Sequence, residues 1–150
     1  MKGSFSREDK AVQKSPQSGG SFPAKLWIIV SALLLVFAAQ NILEMRQESC
    51  TSDELIKLTA GYTYLLKGDF RLNRLHPPLL KMYSGLPLLA LHPKIDFSDS
   101  NWVGPVNQWK FSSDFLYSNN ADQILFWGRL PVVLLTTLLG FIIFRWAQLL

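Results

Sequence analysis

Two adjacent carboxylates, Asp53 and Glu54, stand in the run Thr51-Ser52-Asp53-Glu54, a few residues beyond a long apolar stretch. Such a pair can supply a general base or hold a metal ion. The same four residues also fit a capping box, in which a Thr caps a helix and a Glu three positions on caps back. Two first-turn acids then complement the helix macrodipole. A second group lies in RLNRLHPPLLK, residues 71–81. His76, with Arg74 and Lys81 close by in sequence, has the charge to hold a phosphate or diphosphate, and Pro77-Pro78 stiffens the backbone that carries it. A basic interfacial loop that touches anionic lipid headgroups has the same composition. The third candidate is Arg129, the only charge in another apolar run. A cation there must snorkel to the interface or find a counter-ion, and Asp53, Glu54 or a lipid phosphate are the natural partners.

The elements that must position these groups follow from hydropathy. The chain of 150 residues is 49% hydrophobic, an ordinary share with an uneven distribution. Residues 26–43 carry no charge, and residues 124–144 carry Arg129 alone. At ~1.5 Å per residue these runs reach about 27 and about 31 Å, matching a hydrocarbon core of ~30 Å. They predict transmembrane helices over 25–43 and 123–145. Trp27, Trp127 and Trp146 fall at the span ends, as interfacial belts require. Residues 1–39 could instead be a cleaved signal peptide with Val36-Phe37-Ala38 before the cut. The leading polar region is unusually long for that, which favours an uncleaved anchor.

Charge sets the expected orientation. Lys2, Arg7, Lys10, Lys14 and Lys25 outnumber Glu8 and Asp9 ahead of the first span, and Arg145 follows the second. The segment between is balanced, so the N-terminus and residues 146–150 are expected in the cytoplasm and the loop 44–122 outside it. The pI of about 9.3 comes mainly from the tail and does not point to nucleic acid. Cys50 is the sole cysteine, which excludes an internal disulfide, and the preceding Gln47-Glu48-Ser49 lacks the residues of a lipoprotein cleavage site.

Residues 1–24, rich in Ser, Gly, Lys and Gln, read as a disordered tail. Within the loop, Thr51 opens a helix over 52–67 with Leu55, Leu58, Tyr62 and Leu65 at helical spacing and a stop at Lys67-Gly68. Pro78 can open a second over 78–91, with a break expected near Gly85-Leu86-Pro87. Both are too short to cross and are expected to lie along the membrane surface. Residues 92–122 read as irregular, with Trp102, Trp109, Phe111, Phe115 and Tyr117 as anchors and one short helix near 107–117. The expected architecture is an all-α membrane protein: two transmembrane helices joined by an extracytoplasmic loop with surface-lying juxtamembrane helices.

The order of these features is similar to a known pattern. Asp53-Glu54 after a span, AGYTYLLKGDFRLN at 60–73, HPPLLK at 76–81 and Arg129-Leu130-Pro131 at the next span resemble the N-terminal part of the polyprenyl-phosphate-dependent glycosyltransferases. These membrane enzymes of the GT-C fold include protein O-mannosyltransferases and lipid A aminoarabinose transferases. The likeness covers residues 26–150. Asp-Glu alone is a weak signal and His-Pro-Pro-Leu a moderate one; their order between spans is the more specific feature.

The resemblance implies a sugar donor on a polyprenyl phosphate, and a hydroxyl acceptor on a lipid, glycan or protein at the outer face. It implies Asp53 as the catalytic base, with Glu54 orienting Arg129 or the acceptor. It also implies His76 and Arg129 at the donor phosphate, to which charge alone adds Arg74 and Lys81. It specifies no cofactor and leaves a divalent metal open. Lack of an Asn-x-Ser/Thr sequon and the short loop point to a bacterial inner membrane. Family members have many more spans, and their acceptor and lipid-tail sites draw on them. A two-span chain is therefore expected to be a fragment or a remnant, inactive alone. The alternative is a small two-span membrane protein whose outer loop binds anionic lipid or a partner without catalysis.

Overall fold

The computed structural model describes residues 23–149 and is all-helical over that range. Five helices follow in order: α1 (Ala24–Glu44), α2 (Ser52–Lys67), α3 (Pro78–Leu91), α4 (Gln108–Tyr117) and α5 (Ala121–Ala147). The disordered tail expected over 1–24 lies outside the described residues, except Pro23 and Ala24, which open α1.

Two helices, α1 and α5, are long and apolar enough to cross a membrane. None of the residues of α1 is buried by the rest of the chain, and α5 buries only residues between Ile124 and Val133. Apolar faces left uncovered over that length need an apolar solvent, which a bilayer supplies. The two helices run antiparallel. At one end Trp27 meets Phe144 edge to face at 5.0 Å, with the Arg145 guanidinium 5.4 Å from the Trp27 ring. At the other end Arg129 of α5 reaches the Met45 carbonyl just past α1. Between them Gly140 lets Leu34 approach so closely that a Cβ there would come within 2.9 Å of it. Small residues at such crossings let helices pack without a hydrophobic driving force.

The segment between the spans folds into a packed cap. Its first helix starts where the capping box requires: Thr51 Oγ1 accepts from the Glu54 N–H at 3.3 Å, and Glu54 Oε2 accepts from the Thr51 N–H at 3.5 Å. It ends at Gly68, which takes the left-handed conformation at φ 63° that closes helices cheaply only at glycine. The helix packs into the cap along most of its length. Ile56 and every residue from Leu58 to Tyr64 are buried, because α3 and α4 pack over the helix and α5 meets it at Leu58.

α3 departs from expectation. It runs unbroken through Gly85 and Pro87 to Leu91. Gly85 marks a crossing rather than a break: a Cβ there would sit 2.8 Å from the backbone of Gly61 and Tyr62 in α2. Pro87 removes one intrahelical donor, a cost offset by the packing of Leu88 into the core. Gly61 is equally constrained, since a Cβ would overlap the Lys81 carbonyl. Gly61→Ala must separate two backbones, not two flexible side chains. It is expected to cost ~1–3 kcal/mol, read as a fall in thermal midpoint in detergent. A variant as stable as wild type would rule out this crossing.

The aromatic residues of 92–122 divide in a way that the sequence order does not disclose. Trp102, Phe111 and Phe115 were expected to anchor at the interface. The structure instead buries them, with the Trp102 and Phe111 rings tilted against each other 4.9 Å apart and Phe115 stacked on Tyr62 at 5.7 Å. Trp109 and Tyr117 are exposed. The helical period of α4 accounts for part of the split: Phe111 and Phe115, one turn apart, share a buried face, and Tyr117 lies on the opposite side, while Trp109 stands in the open first turn.

Candidate functional site

A cleft of about 730 Å³ opens where the end of α1, the starts of α2 and α3, and the first half of α5 meet. Its lining mixes apolar Leu58, Leu80, Val132 and Val133 with polar Glu44, Glu48, Asp53, Lys57 and His76. Gly128 faces Leu58 there; a Cβ would lie 2.5 Å from the Leu58 side chain. Of the six candidate residues, Asp53, Glu54, His76, Lys81 and Arg129 all line this cleft. Arg74 does not. It lines a second cleft of about 450 Å³ with Tyr64, Asp69, Phe70, Arg71 and Pro78, and His76 borders both.

Arg129 is placed by helix α5 against the α1–α2 connection. Its Nε donates to Glu54 Oε1 at 2.5 Å and its Nη2 to Glu54 Oε2 at 2.8 Å, the forked geometry that guanidinium and carboxylate share. Nη1 donates to the carbonyls of Met45 at 2.7 Å and Glu48 at 3.1 Å, and Nη2 also to Ser49 at 3.2 Å. All five guanidinium N–H groups are therefore committed within the chain. A phosphate reaching Arg129 would have to displace one of these carbonyls. Glu54 takes part in two structures at once, the capping box and this ion pair.

Asp53 has a different environment. Its side chain is 68% exposed and pairs with Lys57 one turn later at 2.7 Å. The Lys57 hydrogen bond and charge, with a smaller contribution from His76, hold its carboxyl below the usual aspartate range. Asp53 is thus ionised at neutral pH and open to the cleft, as a proton acceptor must be. Lys57 was not singled out from the sequence, although its i,i+4 spacing from Asp53 was the available signal.

Lys81 is only 5% exposed. Burial, and to a lesser degree the charge of Lys57, push its ammonium below the usual lysine range. Its three donors all go to the turn before α3: Asn73 O at 2.5 Å, Asn73 Oδ1 at 3.0 Å and His76 O at 3.0 Å. Asn73 and Tyr64, both partners of this turn, also escaped the sequence reading. His76 itself is exposed at the mouth of the cleft. Cys50 is half-buried beside the site; burial, with the Glu54 charge, raises its thiol above the ordinary range against a smaller opposing effect of Arg129. Asp53 and Glu54 have no third ligand for a metal: among the described residues no three His, Cys, Asp or Glu side chains converge.

The fold and cleft define an all-helical protein with two helices fit to cross a membrane and an amphiphilic site where they meet the cap. No protein-family model, curated protein or solved structure matches the chain.

Proposed function

We propose that the chain is the N-terminal part of a GT-C-type membrane glycosyltransferase that takes its sugar from a polyprenyl-phosphate-linked donor. The observation that supports this reading is the placement of an ionised, exposed Asp53 and an exposed His76 on one cleft that also has apolar lining. An isoprenoid chain would meet Leu58, Leu80, Val132 and Val133, and a phosphate would sit by His76 and Lys57. The acceptor hydroxyl attacks the anomeric carbon, Asp53 takes its proton, and the sugar–phosphate bond breaks with the electron pair leaving on the phosphate. Hydrogen bonds from His76 stabilise the charge that develops there. Glu54 and Arg129 hold the α1–α2 connection under the site. The helices α1 and α5 cross the membrane, with the cap and its cleft on the extracytoplasmic side of a bacterial inner membrane.

The direct test is donor affinity. His76→Ala is expected to weaken binding of a polyprenyl-phosphate sugar by roughly ten- to a hundredfold, the worth of one charge-assisted hydrogen bond. Equal donor affinity in the variant removes His76 from the site. Equal binding of any anionic lipid, without preference for the polyprenyl-phosphate sugar, would favour the non-catalytic lipid-binding protein.

Topology is tested at Cys50. A membrane-impermeant maleimide added to intact spheroplasts should label it from outside. Because burial raises the thiol pKa, less thiolate is present at neutral pH than for an ordinary cysteine. The labelling rate should therefore be slow at neutral pH and keep rising with alkalinity beyond the range where an exposed thiol levels off. Labelling only after lysis would put the cap in the cytoplasm and overturn the reading.

A further inference from the structure

Its charge alone would give Lys81 to the donor phosphate, but its geometry assigns it other work. Lys81 sits in the first turn and a half of α3, and helical side chains lean toward the N-terminus. The helix macrodipole disfavours a cation there, and burial adds to the cost. Three acceptors offset both, and all three belong to residues 73 and 76. The same turn is held from the other side by α2. The Tyr64 hydroxyl donates to the Leu72 carbonyl and lies 3.2 Å from that of Asn73, and the Tyr64 ring lies 5.7 Å from the Lys81 ammonium. Asn73 takes φ 53°, a left-handed conformation that asparagine tolerates better than most side chains. The backbone of Lys81 is itself fixed, because its carbonyl fills the space over Gly61.

We propose that Lys81 is a positioning residue: with Tyr64 and Asn73 it clamps the turn 72–76 and so presents His76 on the ridge between the two clefts, without touching the ligand. This rests on the reading of His76 as a phosphate-binding group, and two independent measurements separate the clamp from that reading. The first needs no ligand. A nitroxide placed at Leu75→Cys on a Cys50→Ser background reports turn mobility, since Leu75 is 89% exposed and its replacement disturbs no packing. The spectrum should be immobilised in the parent. Rotational mobility should rise about threefold or more in Lys81→Met and to an intermediate degree in Asn73→Gly, which keeps the left-handed backbone and loses one acceptor. Unchanged mobility in both variants overturns the clamp.

The second measurement is a double-mutant cycle on binding of polyprenyl phosphate to the whole chain in detergent, followed by native mass spectrometry. His76→Ala and Lys81→Met should each lose about tenfold in affinity, and the double variant no more than either alone, because residues that act through one contact are not additive. An additive loss of about a hundredfold means that Lys81 binds the ligand itself and overturns the proposal. Full affinity in His76→Ala beside a loosened turn leaves the clamp standing and removes the phosphate role of His76.

Discussion

On the proposed reading, Asp53→Asn should lower kcat at least ~10²-fold in the whole transferase, with donor binding nearly unchanged. Asparagine keeps the shape and much of the hydrogen bonding of aspartate but cannot take the acceptor proton. The structure makes the experiment clean. Among the described residues Asp53 pairs with Lys57 alone, in an exposed ion pair, and such pairs contribute little to stability, so the variant should fold normally. Lys57 gives a second readout. It holds the Asp53 carboxyl below its ordinary range, and a base with a lowered pKa stays deprotonated to lower pH. The acid limb of the rate profile should therefore lie below the ordinary aspartate range. Lys57→Met should move it up, so that activity is lost earlier as pH falls. Normal turnover of Asp53→Asn in a folded preparation would leave Asp53 a first-turn helix residue and place the base elsewhere.

The largest stability effect is expected at the Arg129–Glu54 pair. Both side chains are mostly buried, at 14% and 25% exposure, and removing one partner leaves the other desolvated and uncompensated. Glu54→Ala or Arg129→Ala should each cost ~3–5 kcal/mol, measured as thermal unfolding in detergent or nanodiscs. Arg129→Ala also leaves the carbonyls of Met45, Glu48 and Ser49 without their donor, so the α1–α2 connection should loosen. Arg129→Lys should not rescue it, because an ammonium cannot form the fork to Glu54 and reach three carbonyls together. Glu54→Gln should lie between, keeping part of the capping box while losing the charge. A change within about 0.5 kcal/mol for either alanine variant would mean that the pair is not formed.

What the sequence determined by itself is the local and the one-dimensional. Thr51 and Glu54 fix the start of α2 because both partners lie three residues apart, and Gly68 fixes its end because only glycine enters the left-handed region cheaply. Pro78 opens α3 for an equally local reason, and two apolar runs locate α1 and α5 by length alone. The tertiary structure decided what depends on a crossing. Gly85 and Pro87 suggest a break by propensity, yet α3 stays continuous because Gly85 is needed where α2 passes. Trp102, Phe111 and Phe115 have the composition of interfacial anchors and become core because α4 turns two of them onto α2.

The site divides along the same line. The residue types that could do chemistry were legible, but how their donors are spent was not. Arg129 finds Glu54 across 75 residues of sequence, and no local periodicity encodes a partner at that distance. Lys81 looked like a ligand for an anion because a charge in a sequence carries no information about burial. In the folded chain its ammonium is already satisfied by Asn73 and His76. Hydrogen bonds of short sequence separation are set by residue type and order. Those of long separation depend on how the helices approach, and at Gly61, Gly85 and Gly128 that approach leaves no room for a Cβ.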